Sequence, residues 1–160
     1  METVYIAGGC LWGVQHFFDR LTGIISTEAG RANGKTNSLD GTYDGYAECV
    51  KVVFDENITS ITNLMEYLFE IIDPYTLNKQ GSDVGKKYRT GIYSTSGKHL
   101  EEAKNFINDR KDRDKIVVEV LSLTNYVKSA EEHQHHLERF PDDYKLCHIP
   151  YSLLNKYREK

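Results

Sequence analysis

The sequence is poor in cysteine and has no long apolar run. Its three cysteines, Cys10, Cys49 and Cys147, are an odd number spread over 160 residues. We therefore expect no disulfide framework, but reduced thiols in a reducing compartment. A membrane-spanning helix needs about 20 apolar residues in a row, and no run approaches that length. The opening residues, METVYIAGG, show neither a charged leader nor a cleavage site, so we predict a cytoplasmic protein.

An excess of basic charge is also absent. The 20 Lys and Arg residues are outnumbered by 24 Asp and Glu residues, which gives a formal net charge of −4. A general attraction to nucleic acid or to an anionic membrane is therefore not expected, and partners should be small molecules or proteins. Internal repeats, linkers and low-complexity tracts are lacking too. We predict a single catalytic domain over residues 1–160, long enough to bury about 70% of its unfolded surface.

Hydrophobic periodicity predicts the element order βαββαβαβ. The predicted strands cover residues 3–7, 24–29, 47–54, 91–95 and 116–123, and the predicted helices cover residues 10–21, 60–73 and 97–113. Two split βαβ units in succession favour an α+β fold, a two-layer, ferredoxin-like mixed sheet with helices on one face. A short helix over 129–140 and an irregular C-terminal tail over 141–160 complete the chain.

A cysteine and the only tryptophan lie two positions apart in AGGCLWG, residues 7–13. The predicted glycine turn places Cys10 in the first turn of a helix, where free amides and the helix dipole favour a thiolate. Trp12 falls on the polar side of that helix, away from the apolar stripe, which predicts that it lines a site. The heptapeptide alone leaves open that both residues belong to the core, since cysteine can pack as a small hydrophobe.

A carboxyl group occupies the apolar face of the predicted third strand. Alternation in AECVKVVF puts Glu48 on the same face as Val50 and Val52, and puts Cys49 on the opposite face. Desolvation there would raise the pKa of Glu48 and let it serve as a general acid. A strand-end glutamate that curls back into water is the alternative. Cys49 is predicted to be a packed thiol outside the site.

The connection over residues 74–90 is longer than a join between a helix and a strand requires. It contains Asp83 and Tyr88 among glycines in QGSDVGKKYR. Long connections of this kind often carry function. A solvated turn in which Asp83 acts as a local cap is the alternative.

Six segments, in order, resemble the type A peptide methionine sulfoxide reductases. The segments are GGCLWG preceded by VYIAGG, GYAE before a hydrophobic strand, IIDP, QGSDVGKKYRTGIY, EEHQHHL and CHIP. They span residues 3–150, nearly the whole chain. The resemblance implies a ferredoxin-like α+β fold and thiol-dependent reduction of the S epimer of methionine sulfoxide, free or in proteins, as a repair of oxidative damage.

The residues that match the family's motifs suit this reaction. A sulfoxide sulfur is weakly electrophilic, so its reduction needs a thiolate and a proton delivered to the oxygen. By similarity, Cys10 attacks the sulfur, Glu48 donates the proton and Tyr88 hydrogen-bonds the oxygen. The product left on Cys10 is a sulfenic acid.

The resemblance also implies the substrate pocket. Trp12 would hold the ε-methyl group against its ring, and Asp83 would position the polar side of the pocket. Leu11 occupies the place of the family's phenylalanine, so one wall of the methyl pocket is aliphatic.

The cysteine of CHIP, Cys147, is by similarity the residue that resolves the sulfenic acid. Its attack would release water and form a disulfide with Cys10, which thioredoxin or another dithiol could reduce. The resemblance thus implies no metal and no other cofactor. The spacing from Pro141 to Cys147 is longer than is usual in the family.

The loop over residues 30–47 departs from the family pattern. Arg31 stands where relatives usually have tyrosine, and the loop is several residues shorter. A second tyrosine that binds the sulfoxide oxygen normally comes from this segment. The sequence leaves open whether Tyr43 or Tyr46, if either, takes that role.

Two other function classes fit parts of the sequence. A cysteine hydrolase or amidase would pair Cys10 with a histidine such as His133 within hydrogen-bond reach. A metal-binding module could use His133 and His136 of EEHQHH, with His148 or Cys147 nearby. The second class ranks lower, because no further Cys/His pair stands at ligand spacing.

Overall fold

The computed structural model describes residues 1–158. The strands of this part are β1 Glu2–Gly8, β2 Ile24–Ala32, β3 Ala47–Phe54, β4 Lys79–Gln80, β5 Asp83–Val84, β6 Thr90–Ser94, β7 Glu119–Ser122 and β8 Tyr126–Lys128. Its α-helices are α1 Leu11–Phe18, α2 Ile61–Ile71, α3 Gly97–Asn108, α4 His136–Arg139 and α5 Tyr151–Leu154. The predicted tail over 141–160 contains a 3₁₀ helix, Pro141–Leu146, and then α5; its last two residues lie outside the described part.

A six-stranded sheet in the order β7-β6-β1-β3-β2-β8 forms one layer of the fold. The four central strands are antiparallel, in the order that two split βαβ units produce. Strand β7 adds in parallel to β6, and β8 adds antiparallel to β2. The predicted mixed α+β sheet is confirmed. No helix within residues 1–158 has the length and apolar character of a membrane span.

Alternation along the central strands separates the two faces of the sheet. Val50, Val52 and Phe54 of β3 are buried in the main core, together with apolar residues of α1 and α2. Cys49 points the other way into a smaller buried cluster, which also contains Tyr93. Burial raises the pKa of the Cys49 thiol. Cys49 is therefore a packed thiol, on the face that the alternation predicts.

Several helix and strand boundaries differ from those that the hydrophobic periodicity predicts. Helix α1 ends at Phe18 and α3 at Asn108, before the predicted ends. Strand β7 begins only at Glu119, because the Val117 amide donates instead to the Pro74 carbonyl at 2.8 Å. Strand β8 and the small β4–β5 hairpin are absent from the prediction, since two or three residues are too few to show a period.

The predicted helix over 129–140 is broken by contacts with β2. Gln134 has a buried side chain whose Oε1 accepts from the Ala29 amide at 2.8 Å and whose Nε2 donates to the Ala29 carbonyl at 2.9 Å. The next residue, His135, adopts φ +51°. Only a 3₁₀ turn, Glu131–His133, and the single turn of α4 remain. We call residues 129–136 the strap, because they tie the edge of the sheet to α1.

Strand β8 can join β2 because Gly30 has no side chain. A Cβ atom at Gly30 would lie 2.3 Å from Cε1 of Tyr126. The Tyr126 ring packs against Tyr5 and its hydroxyl donates to Glu28 Oε1 at 2.7 Å, so it is not free to move aside.

We predict that Gly30→Ala lowers the free energy of unfolding by about 1–3 kcal/mol through overpacking. Gly97→Ala is the matched control, because nothing lies within 4 Å of its Cβ position; it should change stability by less than about 0.5 kcal/mol. Urea denaturation measures both. Equal stability of the two variants would contradict the close approach of Tyr126 to β2.

Candidate active site

Cys10 is the N-cap residue of α1 and follows the glycine turn that the sequence predicts. Gly9 has φ +92°, a conformation that favours glycine, and a Cβ there would lie 2.8 Å from Cε1 of His148. The amides of Trp12 and Gly13 face the Cys10 sulfur and favour its thiolate. The local fold therefore presents a half-buried thiol at the positive end of a helix.

A second thiol lies against the first. Sγ of Cys147 is 3.3 Å from Sγ of Cys10, and both cysteines are free and half-buried. The hydrogen bond from the Cys147 thiol, aided by the two helix amides, lowers the pKa of Cys10, although burial opposes it. The same hydrogen bond and burial raise the pKa of Cys147. Of the two thiols, Cys10 therefore loses its proton more readily, and Cys147 keeps its proton more strongly.

The tail holds Cys147 in this place through its neighbours. His148 donates from Nε2 to the Ile71 carbonyl oxygen at 3.0 Å, and Ile149 is buried in the main core. Gly13 leaves room for the sulfur, since a Cβ there would lie 3.3 Å from Sγ of Cys147. The sequence placed Cys147 in a polar tail, and the contact with Cys10 is made by long-range packing.

Glu48 lies at the start of β3, on the face that the alternation predicts. Burial raises the pKa of its carboxyl, against the opposing effects of Lys87 and of the Leu11 amide. Nζ of Lys87 lies 3.9 Å from Oε2 of Glu48. Only 16% of the Glu48 side chain is exposed to solvent. The carboxyl is therefore not a solvated strand end.

The connection between α2 and β6 supplies the opposite side of the site. Asp83 opens β5 and Tyr88 ends a 3₁₀ turn, Lys86–Tyr88. Burial raises the pKa of both groups. Oδ2 of Asp83 is buried and has no hydrogen-bond partner among the described residues. An unsatisfied carboxylate oxygen of this kind is available to a polar ligand.

These side chains line one cavity of about 320 Å³. Six residues expected in the site are among its walls, namely Cys10, Leu11, Trp12, Glu48, Asp83 and Tyr88. Cys147 does not line the cavity, but its sulfur contacts the sulfur of Cys10. The walls also include Tyr46, one of the two tyrosines between which the sequence left the choice open. Four further wall residues, Arg31, Ser129, His133 and Leu146, were not assigned by the sequence to the pocket of a reductase.

Arg31 and Tyr46 enter the cavity as a pair. Arg31 is directly opposite Glu48 in the β2–β3 register, so both side chains lie on the same face. Cζ of Arg31 lies 4.4 Å from the centre of the Tyr46 ring. Tyr43 instead is exposed and donates from its hydroxyl to the Tyr46 carbonyl. Pairing of the two strands could have predicted Arg31, whereas Tyr46 lies in a loop without periodicity.

The two alternative function classes lack their required contacts. The hydrogen bond recorded for the Cys10 side chain goes to Cys147, and none joins Cys10 to a histidine within residues 1–158. His133 instead accepts from the indole nitrogen of Trp12. A cysteine hydrolase is therefore not supported.

The histidines proposed for a metal module do not converge either. In the described part of the chain, the acidic and histidine groups close enough to share a metal ion are Asp19, His135 and Glu138, none of which was predicted. Two arginines, Arg20 and Arg158, already pair with Oε1 of Glu138.

A family model for peptide methionine sulfoxide reductases matches residues 2–160. The chain is 44% identical over 158 residues to the peptide methionine sulfoxide reductase MsrA of Clostridium perfringens, covering 93% of this chain and 98% of that relative. The corresponding enzyme of Ureaplasma urealyticum is 36% identical over 165 residues, covering 98% of each chain.

Solved structures show the same fold. Reduced Mxr1 from Saccharomyces cerevisiae superposes with a TM-score of 0.85 at 25% identity, covering 93% of this chain and 91% of Mxr1. Mxr1 in complex with Trx2 superposes with a TM-score of 0.61 at 21% identity, covering 84% of each chain, a likeness of fold alone. Because the family model spans nearly every residue and the relatives match over most of their length, this chain belongs to the peptide methionine sulfoxide reductase family.

Proposed function

We propose that this chain, as one catalytic domain over residues 1–160, reduces the S epimer of methionine sulfoxide to methionine, free or in proteins, and so repairs oxidative damage. One observation carries the proposal. A thiol at a helix N-terminus, Cys10, shares a cavity with a carboxyl that is largely shielded from solvent, Glu48, and touches a second thiol, Cys147. The chemistry of sulfoxide reduction requires a nucleophile and an acid in its first step and a resolving thiol in its second.

In the first step, the Cys10 thiolate attacks the sulfoxide sulfur. A bond forms between the two sulfur atoms as Glu48 delivers a proton to the oxygen. The resulting hydroxyl group then passes from the substrate sulfur to the Cys10 sulfur, so that the sulfur–oxygen bond of the substrate and the new sulfur–sulfur bond both break. Methionine leaves, Cys10 is left as a sulfenic acid, and Glu48 later recovers its proton from water. The substrate sulfur is reduced by two electrons and the Cys10 sulfur is oxidised by two.

The cavity walls divide into a side for the oxygen and a side for the methyl group. Tyr88 keeps its proton, since burial raises its pKa, and it can donate to the sulfoxide oxygen next to Glu48. Asp83 offers a polar contact through its unpartnered Oδ2. Trp12 and Leu11 form the apolar side that receives the ε-methyl group.

In the second step, Cys147 attacks the sulfenic sulfur of Cys10. The new sulfur–sulfur bond releases the oxygen as water, and the resulting disulfide is reduced by exchange with an external dithiol. We propose thioredoxin for this role, in line with the solved complex of Mxr1 with Trx2. The reaction then needs no prosthetic cofactor, and three free thiols suit the reducing conditions of the cytoplasm.

We predict turnover of the S epimer and not of the R epimer when NADPH consumption is followed with thioredoxin and thioredoxin reductase. Cys10→Ser should abolish it, because a hydroxyl is too weak a nucleophile for a sulfoxide sulfur. Equal rates for the two epimers, or full activity of Cys10→Ser, would contradict the proposal.

Intact-protein and peptide mass spectrometry after one equivalent of substrate should show a disulfide between Cys10 and Cys147. Cys147→Ser should still release methionine once but accumulate the sulfenic acid, which a dimedone label detects. Cys49→Ser is the matched control and should form the same disulfide as the unmodified chain. A disulfide between Cys10 and Cys49 would overturn the assignment of the resolving cysteine.

Glu48→Gln should lower the rate of the first step about 10²–10⁴-fold at neutral pH, the range that general acid catalysis contributes. An amide can still donate a hydrogen bond but cannot transfer its proton. Single-turnover release of methionine isolates this step. An unchanged rate would remove Glu48 from the acid role.

A substitution next to Glu48 tests the acid role of this carboxyl through the pH dependence of the first step. The acid must be protonated, so the rate falls as pH rises through the Glu48 pKa. Lys87 opposes the rise of that pKa, so Lys87→Gln should move the alkaline limb to higher pH. Lys86→Gln, one position away, should leave the limb in place. A shift to lower pH in Lys87→Gln would contradict this electrostatic account.

A further inference from the structure

The indole of Trp12 is fixed on one face and at its nitrogen by two histidines of the strap. The His136 ring stacks on the indole with ring centres 3.7 Å apart and planes 8° from parallel. The indole nitrogen donates to Nδ1 of His133 at 3.2 Å. Trp12 lines the cavity and His136 does not, so the face of the indole away from His136 is the one that borders the cavity.

The two histidines are themselves held in place. Nε2 of His136 lies 2.7 Å from Oδ2 of Asp143, and 13% of its side chain is exposed. Gln134, between the two histidines, is locked to Ala29 by two hydrogen bonds. The strap that contacts Trp12 is therefore fixed to the sheet through Gln134 and to the C-terminal tail through His136.

Trp12 is the only aromatic side chain of the AGGCLWG motif, and its neighbour Leu11 is aliphatic. An aliphatic neighbour cannot hold the indole plane by stacking. Trp12 also packs against the main core, but the ring that stacks on the indole and the acceptor of its N–H both come from outside the motif, from His136 and His133.

We propose that His133 and His136 are positioning residues that fix Trp12 and thereby set the preference of the pocket for a methyl over a larger group on the sulfoxide sulfur. The proposal rests on the function proposed above. His136 lies outside the cavity, and His133 is part of its wall but bonds to Trp12. A pocket distinguishes substrates that differ by one methylene only when its wall cannot yield, and such a difference is worth about 10–200-fold in kcat/KM.

The experiment compares kcat/KM for the S epimers of methionine sulfoxide and ethionine sulfoxide in full-length variants. His136→Ala should lower the methyl-over-ethyl preference about five-fold, the factor expected for the loss of one aromatic stack. The change should come from a higher KM for the methyl substrate with kcat nearly constant. His136→Phe restores a flat ring and should restore the preference.

Tryptophan fluorescence reports on the Trp12 side chain directly, since Trp12 is the only tryptophan. Acrylamide should quench its fluorescence more strongly in His136→Ala than in the unmodified chain, but not in His136→Phe. His135→Asn is the matched control, because it removes an imidazole of the same strap, retains a residue that tolerates the positive φ, and leaves Trp12 untouched.

A second variant keeps the proposal falsifiable if His136→Ala does not fold. His133→Phe removes the acceptor of the indole N–H but keeps a ring, and should lower the preference about three-fold. Unchanged preference and unchanged quenching in both variants would overturn the proposal. Failure of the unmodified chain to reduce either sulfoxide would instead overturn the proposed function, so the two failures are distinguishable.

Discussion

The site depends on the position of Cys10 at the amino end of α1. Gly9 turns the chain with a positive φ, and the helix then presents its free amides to the sulfur. Sγ of Cys147 lies 3.3 Å from Sγ of Cys10, so a second thiol can hydrogen-bond the first. In the proposed mechanism, the same turn therefore serves both the activation of the nucleophile and the later formation of a disulfide.

The sheet and its attachments bring the remaining groups to this turn. Strand β3 directs Glu48 to the helix face, while β2 brings Arg31 to the position opposite. The strap is tied to β2 through the Gln134 side chain and carries the two histidines against Trp12. The core of the domain sits behind these elements, so packing of the sheet determines the geometry of the cavity.

Sequence reasoning predicted those parts that depend on local patterns. Alternation in β3 placed Glu48 and Cys49 on opposite faces, and the glycine turn placed Cys10 at a helix start. The prediction of a helix over the strap was wrong, because the Gln134 side chain forms hydrogen bonds with a strand over one hundred residues earlier in the chain and these replace the helical turns. Periodicity contains no information about such a contact. Tyr46, Ser129 and Leu146 enter the cavity for the same reason, through loops and long-range packing.

The most direct test of the thiol mechanism uses the isolated, fully reduced chain without any external reductant. Addition of excess S-methionine sulfoxide should release one equivalent of methionine per chain, and titration should show that the three free thiols fall to one. That remaining thiol should be the buried Cys49. Release of methionine without loss of thiols, or the same burst from the R epimer, would contradict a mechanism in which Cys10 is the nucleophile and Cys147 resolves it.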